Sequence, residues 1–438
     1  MATESWTAYQ DCAERLAKES PAWLARLRRQ AVARFLTTGF PSPRQEEWKY
    51  TDLSHALEAG LAPIERKRFA LAATSGNVNA GWVRSKLLPN CWHLVLIDGQ
   101  VAWEFSQLPK QDQTIASDLG TALLRHQELT ARGFGQAVDE NHGFIDFNTA
   151  LFQDGALIYL SGGVHLEQPI QILHVQTQAV AIPTRHLIIL EEGAAATVIE
   201  TYVGTDAGGL SAHVSEALLG PSSRLEHFKI QQESDTAFHF GGLYVKQGPN
   251  SHFNQTQFAL GGFLARSEIH VSLGKGSRCT LDGLHWANGR RHLDSHTLIV
   301  HAAPGGTSRE TYKALAEDSG RSVFQGRIVV QPGAQKTDAA MENKNLLLSE
   351  AAEVDSKPQL EIYADDVRCS HGVSCGQLDQ DALFYLQSRG LRPKAARQLL
   401  IYGFVNTLIE AVPVASLRTF LHRELDHRFD AIELENTL

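Results

Sequence analysis

Cysteine is scarce in this chain: five residues in 438, an odd number spread over Cys12, Cys91, Cys279, Cys369 and Cys375. So thin a scatter is no disulfide framework, and it fits a reducing compartment, the cytoplasm. A basic excess is missing too. Forty Lys and Arg stand against 49 Asp and Glu, a formal charge of -9, and a nucleic-acid binder would show a basic footprint instead. No apolar run approaches the roughly 20 residues that span a bilayer. The opening MATESWTAYQDCAERLAKES is polar and acidic where a secretion signal needs an apolar stretch.

Catalytic signatures are also wanting. Gly274-Lys275-Gly276-Ser277 has no glycine five residues before its Gly-Lys pair, and it follows a strand without opening a helix, so it is a turn and not a phosphate loop. Nothing matches the G-x-S-x-G nucleophile elbow. His292 and His296 have the spacing of an H-x-x-x-H pair but not the HExxH pattern. The Leu298/Val300 alternation beside them reads as strand, which makes them structural or surface histidines. The chain carries no catalytic set of its own.

What is present is an ordinary globular composition, 43% hydrophobic and 20% charged, in three zones. Residues 1–150 form a mostly helical domain. Ser20 and Pro21 start a helix, Leu24, Leu27, Ala31 and Phe35 share one face of it, and Gly39, Pro41 and Pro43 end it. Arg26, Arg28 and Arg29 are expected on its solvated face. His93–Asp98 before Gly99 reads as a strand and turn. The block RQEEWKYTDL, 44–53, mixes charge and aromatics in a way that generic helix or loop chemistry does not explain.

Residues 151–376 change character. Leu157–Leu160, Leu187–Leu190, Thr197–Val203, Phe228/Ile230, Ile269/Val271/Leu273 and Ile328/Val330 are short apolar or alternating runs between turn residues, an all-β unit. Sandwich, barrel and β-helix all fit, since no fixed-period repeat decides among them. Residues 377–438 return to helix. Asp379 caps the first, which carries Leu383, Phe384 and Leu386 and stops at Gly390. Leu400, Phe404 and Leu408 follow Pro393, and Leu417, Phe420, Leu421 and Leu425 follow Pro413.

The densest chemistry lies in PQLEIYADDVRCSHGVSCG, 358–376. In an extended chain Cys369 and His371 point the same way, and a thiolate beside an imidazole suits iron or zinc. Two ligands do not close a site, so further ligands must come from elsewhere in the chain or from a partner. A plain alternative is a buried small apolar cysteine.

The run from Val323 to Leu391, with AEVDSKPQLEIYADDVRCSHG at 352–372, closely resembles the SufB/SufD family of iron–sulfur cluster assembly scaffolds. RQEEWKYTDL is similar to the family's N-terminal block. The pattern is that of the SufD branch. SufB-type chains place an assembly cysteine just before the Leu-Leu segment, where this chain has Asn343-Lys344-Asn345. The resemblance implies a right-handed parallel β-helix core, 151–376, between an N-terminal domain and a C-terminal helical domain. It implies a non-catalytic scaffold in a complex with SufB and two copies of the SufC ATPase, which would supply the nucleotide site.

On this reading Leu400, Phe404 and Leu408 dock SufC, while Tyr363, Asp365 and Asp366 face SufB. His371 and Cys369 share a transient cluster, or iron, with the partner. Cys375 stands where family members usually carry an aliphatic residue; it is either a third ligand on the same face or a filler of that slot. Without SufB the isolated chain is either a monomer or a homodimer, and the sequence does not decide between them. Two other classes compete: a β-helix enzyme acting on polysaccharide, against which Asp365 and Asp366 would point to opposite faces if extended, and a simple metal-binding protein.

Overall fold

The computed structural model describes residues 2–59, 61–63, 79–138 and 142–435. Most of the chain winds into a parallel β-solenoid, the β-helix that the resemblance implied. Successive strands alternate between two sheets, ten-stranded and nine-stranded among the described residues. From Ala181 onward each strand pairs in parallel with the strand two before it, so every turn lays one strand on each sheet. His252, Arg278, Thr307, Asp338 and Arg368 stack in register on one sheet. Leu264, His292, Arg321 and Glu353 do so on the other.

The turn length is not constant. His252 and Arg278 are register partners 26 residues apart, whereas Arg321 and Glu353 are 32 apart. Loops absorb the difference, and that is why a fixed-period search of the sequence finds nothing. The solenoid also begins earlier than residue 151. Trp92–Ile97 pairs in parallel with Ile170–Gln176, and Thr114–Asp118 pairs antiparallel with Gly155–Leu160, so strands from the mostly helical zone start both sheets.

Inside, Ile172, Val198, Leu225, Phe253, Leu281 and other aliphatic or aromatic side chains form a continuous core. Each such side chain, fully buried, contributes ~1.5–3 kcal/mol. Gly155 is dictated by a close approach: a Cβ there would fall 1.7 Å from the carbonyl oxygen of Arg185.

Helices cover the outside. Ala22–Thr38 packs with Gly143–Leu151 over the nine-stranded sheet, where Asn148 Nδ2 donates to the carbonyls of Thr184 and Ala212 at 2.7 and 2.8 Å. Arg28 departs from the solvated role expected of it. It lies on the same stripe as Leu24, Ala31 and Phe35 and is buried. There it donates to the carbonyls of Ala150 and Phe152 at 2.9 and 2.8 Å, satisfying acceptors that the helix end leaves open. Ser20 does not cap this helix; its hydroxyl donates to the Leu16 carbonyl and accepts from Arg28 Nε.

The block 44–53 is a strap across the outer face of the nine-stranded sheet. Buried Trp48 lies under the Arg266 guanidinium, 3.8 Å from ring centroid to Cζ. Thr51 Oγ1 donates to Asp294 Oδ2 at 2.5 Å, and Glu46 pairs with Lys357. The same Arg266 pairs with Asp294 at 2.5 Å and Glu268 at 2.9 Å, so the strap's charges and aromatics answer a buried ion network. His292 and His296 belong to this region as structural side chains: burial pushes their pKa values down to about 4 and about 3. No helix among the described residues is long and apolar enough to cross a membrane.

Candidate functional site at the open end of the solenoid

The solenoid ends in two unpaired edges. Glu353–Ile362 and Arg368–Gly376 are the last strands of their sheets, each paired on one side only among the described residues. An exposed strand edge is a row of unmet hydrogen-bonding groups, a template for another chain. Ile362, Tyr363 and Val373 add exposed apolar surface beside it.

Register fixes what this end presents. Cys369 lies over Ala339 and Ser308, and His371 over Met341 and Glu310. Val373 and Cys375 continue the row over Asn343 and Asn345. Ala339, Met341, Asn343 and Asn345 are all buried, so the inward face of the solenoid runs out into solvent through Cys369, His371, Val373 and Cys375. Gly372 does not turn the chain; the strand is continuous from Arg368 to Gly376. Asn345 Nδ2 donates to the Ser374 carbonyl at 3.2 Å and to Asn343 Oδ1 at 2.6 Å, holding the last strand.

Spacing separates the candidate ligands. Cys369 and His371 are two residues apart, ~6.6 Å along a strand, close enough for their side chains to meet at one ion or cluster edge. Cys375 is four residues beyond His371, ~13 Å on the same measure, too far to join them at one metal. It is exposed, so within this chain it fills no apolar slot either. Cys369 is partly buried against the core. Burial, and then the charge of Asp338, raise its pKa above the ordinary thiol value, against a backbone hydrogen bond at Ala339. Metal binding there must displace a proton.

Tyr363, Asp365 and Asp366 lie in the loop between the two last strands, not in a strand. Tyr363 is exposed, and Asp366 pairs with Lys336. Leu400, Phe404 and Leu408 behave differently from the docking face expected of them. Leu408 is buried, and Leu400 and Phe404 pack half-buried against the core beneath the helix Pro393–Glu410. Lys313 Nζ fastens this helix by donating to the Phe404 carbonyl and Thr407 Oγ1, both at 2.7 Å. The apolar surface that the C-terminal helices leave open is Phe384, 74% exposed, with Tyr385 and Leu399. The helix Pro393–Glu410 carries Leu399 outward as well as Leu400, Phe404 and Leu408 inward, so periodicity does not tell its inner from its outer face.

Family models agree with this architecture. A model described as SufBD protein N-terminal region matches residues 2–172, and one described as SUF system FeS cluster assembly, SufBD core domain, matches 173–404. An iron-sulfur cluster assembly SufBD family protein of Synechocystis is 31% identical over 413 residues, 89% of this chain and 88% of that one. Iron-sulfur cluster assembly protein SufD of Escherichia coli is 32% identical over 396 residues, 87% and 88% of the two chains. SufD of Bacillus subtilis is 26% identical over 416 residues, 91% and 92%. The chain belongs to the SufBD family of iron-sulfur cluster assembly proteins.

Proposed function

We propose that this chain is the SufD-type scaffold subunit of a cytoplasmic complex with SufB and the SufC ATPase, and that a nascent iron–sulfur cluster is built as cargo where its open end meets SufB. The observation that carries this reading is the row of inward-facing positions that reaches solvent at Cys369 and His371, on an edge lacking its next turn. A partner solenoid supplying that turn would bury the edge and complete the ligand set. Neutral imidazole beside one thiolate holds iron with fewer anionic ligands than a four-thiolate cage, which favours release. The exposed Phe384, Tyr385 and Leu399 are the surface for SufC, and the nucleotide chemistry belongs to that subunit.

The test is anaerobic reconstitution of the chain coexpressed with SufB and SufC, read by visible absorption and iron content. Loss of the cluster signal in His371→Ala and Cys369→Ala, with the complex still intact by gel filtration, is the expected result. Wild-type signal in both variants would move the chemistry wholly to SufB.

A further inference from the structure

A second cluster of metal-binding side chains lies deep in the solenoid, away from its open end. His213, Glu233 and His239 are each at most 3% exposed, and one ligand atom of each lies within 4.8 Å of the others. His239 Nδ1 donates to Glu233 Oε1 at 2.9 Å, which fixes the tautomer and leaves Nε2 with a bare lone pair. His213 Nδ1 meets Thr184 Oγ1 at 2.5 Å, and with the hydroxyl accepting, Nε2 is again free. Both Nε2 atoms are buried and without a hydrogen-bond partner. Buried polar atoms of this kind demand a partner, an ordered water or an ion.

The surroundings are shaped for a small occupant. Two cavities of about 10 Å³ are lined by His213, one also by Lys229, Gly241 and His227, the other by His174 and Glu233. A Cβ at Gly241 would stand 2.2 Å from Lys229 Nζ and 3.0 Å from His239 Nε2, so glycine there makes room for the lysine head group beside that nitrogen. Glu200 is committed elsewhere, accepting from Ser215 at 2.6 Å, from Tyr202, and from His227 at 3.1 Å. Lys229, the cation beside the cluster, donates to Ser267 Oγ at 2.8 Å, and burial lowers its pKa to about 8. Burial also keeps His213 and His239 neutral.

We propose that His213 and His239 bind a divalent first-row transition ion inside the solenoid through their Nε2 atoms, with Glu233 as the carboxylate that orients His239. Imidazole nitrogens with an outer carboxylate are a familiar donor set for Zn²⁺ and Fe²⁺. Two nitrogens on one tetrahedral ion at ~2.0–2.1 Å must come closer together than 4.8 Å, so the two rings turn toward the ion as it binds. The ion replaces internal water as the partner of both orphan nitrogens.

The experiment uses the full chain carrying Cys369→Ala, His371→Ala and Cys375→Ala, so that the open end binds nothing. The chain is refolded with Zn²⁺ alone, desalted, and its zinc content measured. A parallel sample refolded with Co²⁺ is read by visible absorption. Retention of one zinc per chain, with cobalt bands lacking thiolate charge transfer, is expected. His213→Gln and His239→Gln should each lower affinity at least tenfold, and Glu233→Gln by about 10–100-fold. A metal-free background chain, thiolate charge transfer in the cobalt sample, or full retention in the two histidine variants would overturn the proposal. Should the histidine variants not fold, the background chain's zinc content and cobalt spectrum still decide it.

Discussion

His371 lies directly over Met341 in the parallel ladder, and among the described residues no strand lies over His371. One rung down, the same position is sealed core; at the last rung it is an imidazole in solvent. The solenoid needs no special loop to make a site, because ending the stack exposes its lining.

Distance along that last strand separates its two cysteines. Cys375→Ser should leave the reconstituted cluster signal within about twofold of wild type, since ~20 Å of strand lies between Cys375 and Cys369. Cys369→Ser should abolish most of it. Equal loss in both variants would mean that the strand folds back on the partner.

The thiol of Cys369 should titrate late. In a Cys375→Ser background its alkylation rate by iodoacetamide, followed by mass spectrometry, should rise with pH along a curve displaced above that of an ordinary thiol. Asp338→Asn removes the smaller of the two causes, so the curve should move to lower pH without reaching the ordinary position. An unmoved curve would assign the whole displacement to burial.

The C-terminal helices make opposite predictions for their inner and outer faces. Leu408→Ala should cost ~2–5 kcal/mol of stability, measured by urea unfolding, because the side chain is buried in the chain's own core. Phe384→Asp with Tyr385→Asp should change stability by less than about 1 kcal/mol. The same pair should reduce co-purification of SufC at least tenfold, as losing a central aromatic contact does. Normal SufC capture by that variant would move the docking surface elsewhere.

Glu310, two rungs beneath His371, is buried, and desolvation lifts its pKa to about 8. A carboxyl whose folded value exceeds its unfolded value of ~4.3 stabilises the fold fully below that value. The contribution fades as pH rises toward 8. Glu310→Gln should therefore gain on wild type between pH 5 and pH 8, with the two closest at acid pH, in thermal melts across that range. A constant difference would mean that the carboxyl is charged throughout.

Much of this was legible in the sequence, for identifiable reasons. Gly99, Asp379, Gly390 and Pro393 punctuate elements where their backbone preferences require. The spacing of Cys369 and His371 gave their shared face because a strand alternates strictly. The solenoid itself was not legible, since loops change the turn length from one rung to the next. Arg28 was misread because charge usually marks a solvated face, and here three carbonyls lie beneath it. The pairing of His213 with His239 was hidden among 19 histidines, 26 residues apart on neighbouring turns.

The strap at 44–53 has a consequence for how the chain is made. Glu47 meets Gln325, 278 residues later in the sequence, and Glu46 meets Lys357, 311 residues later. During synthesis from the N-terminus this segment emerges long before its seat exists. It must wait while rung after rung is added, and it settles only once the ribosome has delivered nearly the whole solenoid. Its docking makes the N-terminal segment a late reporter of whether the far end was finished.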